Sequence, residues 1–180
     1  VGETRDGETA SMAVEASLTG HFVLSTIHTN DAASAPNRLI DMGVQPFLIA
    51  SSLIGVLAQR LMQTLCDECK EPHNPSIEEI EALDLKEFTP ETNVYRPVGC
   101  AKCNYRGYAG RTAISELLLI TDEVRPLILE KADAGQLKKV GVSQGMVTLR
   151  QDAINKVLSG KTSIEELMRV INDNEEELES

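Results

Sequence analysis

The sequence predicts an α/β protein, and three observations carry that prediction. First, a helix-forming stretch over residues 7–18 leads into the continuous apolar run His21-Phe22-Val23-Leu24-Ser25-Thr26-Ile27-His28. A short run of this kind, with β-branched residues, suits a central strand covered on both faces, as in parallel sheets. Second, further helical segments follow that run, so helix and strand alternate. Third, a polar insert bounded by two Cys-x-x-Cys pairs opens at Cys66, and the last third of the chain is helix-spaced. Helix, central strand, helix, helix is part of an α/β sheet protein and not a whole one.

Composition narrows the class. Hydrophobic residues at 42% and charged residues at 25% are ordinary globular values, which argues against wholesale disorder. The formal net charge is −11, aromatic residues make up 3% and there is no Trp. Phosphate-backbone binding needs positive charge and single-strand binding needs stacking rings, so no nucleic-acid partner is expected. The most apolar run, Phe47 to Ala58, has 12 residues against the roughly 20 of a membrane span, and reads as a buried helix. The start, Val1 to Asp6, has no signal-peptide pattern and reads as a strand-to-loop junction within a fragment. Glu175 to Glu179 form an acidic tail expected to be solvated.

Each element has its own signals. Residues from about Gly7 to Leu18 are rich in Ala, Met, Glu and Leu, with Gly20 as a C-terminal cap. Asn30 or Asp31 can cap a helix that stops at Gly43. Pro36 inside it would cost roughly 3 kcal/mol, so that helix starts late or kinks. Pro46 can open a further helix whose face Phe47, Ile49, Ala50, Leu53, Leu57, Leu61 continues toward Leu65. Ser76 to Leu85 reads as a short helix with a Ser76/Glu79 capping box. Arg111 to Ile120 reads as a strand returning to the main sheet. Helices follow, the last opened by a Ser163/Glu166 capping box. The expected divisions are 1–65 for the core, 66–110 for the insert and 111–180 for the returning strand and helical region.

The four cysteines, Cys66, Cys69, Cys100 and Cys103, form two Cys-x-x-Cys pairs with 30 residues between them. Each pair can offer two thiolates from one turn, and two such turns complete a tetrahedral S₄ zinc site. Two disulfides are the alternative, but they need an oxidising compartment that no export signal supports. Redox chemistry needs one such pair and leaves the second unexplained. A closed S₄ site has no open coordination position, so its zinc is structural.

Of the three histidines, His21 and His28 bracket the apolar run. In a regular strand they point to opposite faces. His28 sits at the C-terminal end, where open α/β sheets place ligands. Glu3 follows an apolar start. Residue type and spacing alone leave each of these equally readable as an ordinary hydrogen-bonded or exposed residue.

The strings themselves go further. Val1-Gly2-Glu3-Thr4-Arg5-Asp6-Gly7-Glu8-Thr9-Ala10 resembles the Walker B segment of the type II secretion and type IV pilus assembly ATPases. Thr19-Gly20-His21 through Ser25-Thr26-Ile27-His28-Thr29-Asn30-Asp31-Ala32 resembles their His box. Ala58-Gln59-Arg60-Leu61, the paired cysteines and Gly107-Tyr108-Ala109-Gly110-Arg111 continue the match in order. Thr4, where the family usually has an apolar residue, and Pro36 depart from the pattern.

The resemblance implies the C-terminal part of a RecA-like P-loop ATPase domain with a zinc-binding insert and a C-terminal helical subdomain. It implies a cytoplasmic homo-hexamer, peripheral to the inner membrane. That hexamer would use ATP and Mg²⁺ to drive pilin or pseudopilin assembly against an inner-membrane platform protein. Glu3 matches the acid that acts on Mg²⁺ or its water, and such a carboxylate suits a hard, hydrated cation. His21 and His28 match residues that report the γ-phosphate state. Arg5 matches an arginine available for inter-subunit or phosphate contact, and Cys66, Cys69, Cys100 and Cys103 match the zinc ligands. Retraction-type members lack the tetracysteine insert, so its presence favours a secretion or extension motor. The family's P-loop lies upstream of Val1. Gly160-Lys161-Thr162 does not replace it: Asn155 stands where the first Gly belongs, and the string follows a helix, where a P-loop follows a strand. The 180-residue chain alone is therefore expected to be inactive.

Two other readings compete. One is a free-standing zinc-stabilised interaction module. The other is a different α/β enzyme using Glu3 and His28 as an acid–base pair, for which no nucleophile motif speaks.

Overall fold

In the computed structural model, residues 1–83 and 92–176 are described. Leu85, and Glu177 to Glu179 of the acidic tail, lie outside them. The chain divides into two compact units, 1–58 with 116–148, and 59–115 with 149–180. No helix among the described residues is long and apolar enough to cross a membrane.

In the first unit, helix α1 spans Gly7–Leu18, the range its composition predicts. Asp6 caps its start by accepting the Thr9 N–H at 2.8 Å. Its end is a Schellman turn, in which Gly20 N donates to Ser17 O and His21 N to Ala16 O. Gly20 supplies the left-handed residue this turn needs, with φ at 96°. Helix α2 spans Ala35–Asp41. It begins late enough for Pro36 to sit in its first turn, where a missing N–H leaves no orphan. Helix α3 covers only Pro46–Ser52, and α5 (Val124–Leu129) and α6 (Ala134–Ser143) complete the unit. Ile49, Leu118, Ile128 and Leu137 are among the residues at the centre of its core.

Two expectations fail here. The apolar run over residues 21–28 forms no strand. Backbone bonds from Val1 N to Leu24 O at 3.0 Å and from Thr4 N to Thr26 O at 2.7 Å tie it to the first residues, but no ladder develops. Phe22 and Leu24 are 77% and 71% exposed, so the two-sided cover that a central strand needs is missing among the described residues. The predicted helix from Pro46 to Leu65 also stops early. Leu53 turns to ψ 126°, and strand β1 runs Gly55–Leu65. Leu53, Leu57, Leu61 and Leu65 are four apart, a spacing that a helix face and a strand face share. The intervening positions decide: Val56, Ala58 and Met62 turn inward while Leu57 and Leu61 are exposed.

Strand β1 pairs with β4, Tyr108–Leu119. Ile120 N donates to Ile54 O and Cys66 N to Gly107 O, so the two strands run in opposite directions. Among the described residues the returning strand thus joins a two-stranded antiparallel pair.

In the second unit, β2 (Glu71–His73) and β3 (Val94–Arg96) pair antiparallel. Helix α4 covers Ile77–Leu83 behind a complete Ser76/Glu79 capping box. Helices α7 (Leu149–Leu158) and α8 (Ile164–Glu176) close the unit. Gly160-Lys161-Thr162 is the turn between them. Its atoms are engaged locally: Lys161 O accepts from Leu65 N, and the Thr162 hydroxyl donates to Gln63 O.

The second capping box is only half formed. Ser163 Oγ accepts the Glu166 N–H, but the Glu166 carboxylate turns to β1 instead. It accepts from Gln63 N at 2.7 Å and receives a two-pronged contact from Arg169. Glu166 is 2% exposed. Burial alone would raise its carboxyl; Arg169 and the Gln63 amide outweigh that and hold it below the ordinary range. Glu166→Ala should cost the protein about 2–3 kcal/mol in denaturant unfolding, since it removes several bonds to a charged acceptor. The stabilisation belongs to the ionised form. It is complete above the unfolded carboxyl pKa and fades as pH falls through the lowered folded value, so the penalty should shrink below about pH 4.

Candidate functional site

Glu3 lies between two basic partners. Its Oε2 is 2.6 Å from Arg5 Nη2, and its Oε1 is 2.7 Å from His28 Nε2. The carboxylate side chain is 25% exposed, while the His28 ring is 87% exposed. The hydrogen bond from Arg5 holds the Glu3 carboxyl below its usual range, against a smaller opposing effect of burial and with added help from His28. The group is ionised at neutral pH. The His28 contact is close but is not a well-formed hydrogen bond, and Oε1 is a shielded acceptor without a hydrogen-bond partner among the described residues.

The backbone sets this geometry. Thr4 is buried next to Glu3, its N–H bonded to Thr26 O and its hydroxyl to Ser25 Oγ at 2.8 Å. The partner hydroxyl explains how a polar residue replaces the apolar one expected at position 4. His21 is placed elsewhere: its Nδ1 is 3.1 Å from Ala16 O and 3.2 Å from the Thr19 hydroxyl, so it caps the last turn of α1. Glu3, Arg5 and His28 are thus brought together, and His21 is not in contact with them.

The other centre is the cysteine cluster in the second unit. The four sulfurs of Cys66, Cys69, Cys100 and Cys103 all lie within 4.8 Å of one another. Cys66 and Cys100 are 4.0 Å apart, Cys69 and Cys103 3.8 Å, and Cys100 and Cys103 3.9 Å. All are free thiols. Tetrahedral coordination with roughly 2.3 Å metal–sulfur bonds has sulfur–sulfur edges of about 3.8 Å, so the residues fit one metal ion.

Two turns deliver the sulfurs. Cys69 N and Lys70 N both bond Cys66 O, and a single 3₁₀ turn covers Ala101–Cys103. Backbone N–H groups point at sulfur from Gly99 to Cys69, and from Cys100 and Gly107 to Cys103. Gly107, at φ 77°, passes so close to Pro97 that no side chain would fit. N–H donation, first from Cys100, brings the Cys103 thiol down to about 6. Burial pushes Cys69 up to about 12.

Sequence reasoning missed one buried carboxylate in the same unit as Glu3. Glu116 is buried on β4 and its Oε1 accepts the Ala32 N–H at 3.1 Å. The signal was available, because Glu116 falls on the inward parity between Ile114 and Leu118.

An α/β chain that pairs an acid–histidine contact with a tetrathiolate cluster is the class to be placed. The sequence model described as "Type II/IV secretion system protein" matches residues 1–169. The chain is 52% identical over 171 residues to the type II secretion system protein E of Dickeya dadantii, covering 94% of this chain and 33% of that protein. It is 47% identical to the type IV pilus assembly ATPase PilB of Thermus thermophilus, over 93% of this chain and 19% of that one. The crystal structure of the Legionella pneumophila ATPase DotB aligns with a TM-score of 0.61 at 25% identity, covering 96% of this chain and 38% of that one. The pilus retraction motor PilT with bound ADP shares the fold, with a TM-score of 0.60 at 23% identity over 94% of this chain and 38% of that one.

The chain belongs to the Type II/IV secretion system protein family. It spans about a third of the length of the type II secretion relatives it matches.

Proposed function

We propose that this chain is the nucleotide-sensing and zinc-stabilised portion of an ATPase that powers type II secretion or type IV pilus assembly. The observation that carries the reading is the contact between Glu3 and His28. It joins an ionised, partly buried carboxylate to an exposed imidazole over 2.7 Å. Relatives at 52% and 47% identity, named for secretion and pilus assembly, support it.

In this reading ATP and Mg²⁺ are held largely by parts of the longer protein. A carboxylate such as Glu3 suits a hydrated, oxygen-seeking cation, which neutralises charge on the transferring phosphoryl group when bound. Glu3 holds that cation or one of its waters, and Arg5 keeps the carboxylate ionised. His28, in contact with Glu3, would respond to the phosphate state of a bound nucleotide, while His21 secures the end of α1. The cysteine cluster binds zinc, whose closed S₄ shell gives a folding role. Assembly as a homo-hexamer on the cytoplasmic face of the inner membrane, against a platform protein, completes the reading.

Hydrolysis tests it directly. The longer protein should turn over ATP with magnesium, and the purified 180-residue chain should not. Turnover by the short chain, or a folded longer protein without turnover, would overturn the reading.

A further inference from the structure

Glu116 is a carboxylate with 1% exposure, and such a group is costly to bury unless its polar atoms are met. Its Oε1 accepts the N–H of Ala32, four residues beyond His28. Ala32 and Ala33 are themselves fully buried. Between them and His28 the chain is tied down locally. Asp31 Oδ1 accepts from Ser34 N at 2.9 Å and from the Ser34 hydroxyl at 2.6 Å, and its Oδ2 is 3.6 Å from Lys138 Nζ. On the other side of His28, Thr26 O accepts the Thr4 N–H. The exposed His28 ring has little packing to place it, so its position follows from these two backbone anchors.

We propose that Glu116 is a positioning residue for the Glu3–His28 pair, acting through the Ala32 amide. The proposal rests on the functional reading above and adds a residue to it. Thr4 and Thr26 fix one end of the segment that bears His28, and Glu116 fixes the other. Losing either anchor lets the imidazole drift from the carboxylate without touching either side chain. Because the acceptor is an oxygen and the donor a neutral amide, Gln can replace Glu116 at this bond. Asp cannot, since it is one methylene too short.

The test uses the full-length protein. E116A would leave a void and an unmet amide in a packed region and risks unfolding, so E116D and E116Q carry the experiment. In E116D, hydrogen exchange in the peptide covering residues 29–34 should accelerate at least about tenfold. The kcat for ATP hydrolysis should fall about tenfold or more, with KM for ATP within about twofold. In E116Q the exchange over residues 29–34 should return toward the parent value, because an amide oxygen can accept the same bond. Unchanged exchange in E116D, faster exchange with unchanged kcat, or faster exchange in E116D that E116Q does not recover would each overturn the proposal. H28Q separates the two levels. If H28Q is inactive and E116D fully active, the Glu116 proposal falls and the reading of the site stands. If H28Q is fully active, the reading falls and takes the proposal with it.

Discussion

Stripping the metal from the protein with a strong chelator is expected to unfold the segment around the four cysteines. Hydrogen exchange over residues 66–73 and 92–107 should lose its protection, and zinc should be recovered at one ion per chain. An ion bound by the four sulfurs would add to the packing of the buried Val94 and to a few polar contacts in this region. The region is polar, its two strands have three residues each, and the sulfurs crowd together with only weak thiol contacts between them. Structural zinc supplies on the order of 10–16 kcal/mol in small modules, far more than a pair of short strands. Its removal also leaves four sulfurs within 4.8 Å of one another with no cation between them. Cys100→Ser together with Cys103→Ser should act like the chelator. A folded, protected and metal-free segment would show that the cluster binds nothing of structural weight.

Glu3→Gln in the longer protein should lower magnesium-dependent ATP turnover by about 10–100-fold, the loss typical of groups that orient a metal or its water. The amide preserves the shape and one acceptor but removes the charge. Arg5 then loses its 2.6 Å charged partner, and His28 loses its carboxylate neighbour. Nucleotide affinity should change much less than turnover, because Glu3 is asked to act on the cation and not on the base or ribose. Turnover equal to the parent's would remove Glu3 from the site.

How far the sequence showed these features depends on whether the determinant was local. Helix α1 was readable end to end because Asp6 and Gly20 mark its limits within the segment itself. The cysteine cluster was readable because ligand spacing carries its own geometry. Strand β1 was not, since leucines four apart serve two periodicities and the partner that selects one of them, β4, is some fifty residues away. The run at 21–28 differs from its expectation because apolar content does not ensure burial, which depends on what covers a segment. At the site, residue type alone leaves Glu3 and His28 as ordinary side chains, and the resemblance gives each of them a role. Glu166 shows a further limit: its spacing from Ser163 was read correctly, but a competing acceptor role toward Gln63 took its carboxylate away.

The hydroxyl contact between Thr4 and Ser25 has a consequence for inheritance. An apolar residue at position 4 costs little, because Ser25 is exposed and its hydroxyl can turn to Thr26 O or to water. A change at 25 alone leaves the buried Thr4 hydroxyl without its partner. Across descendants, loss of the hydroxyl at 25 should therefore follow loss of the hydroxyl at 4 and not precede it, which gives an evolutionary order to a bond made by two small side chains.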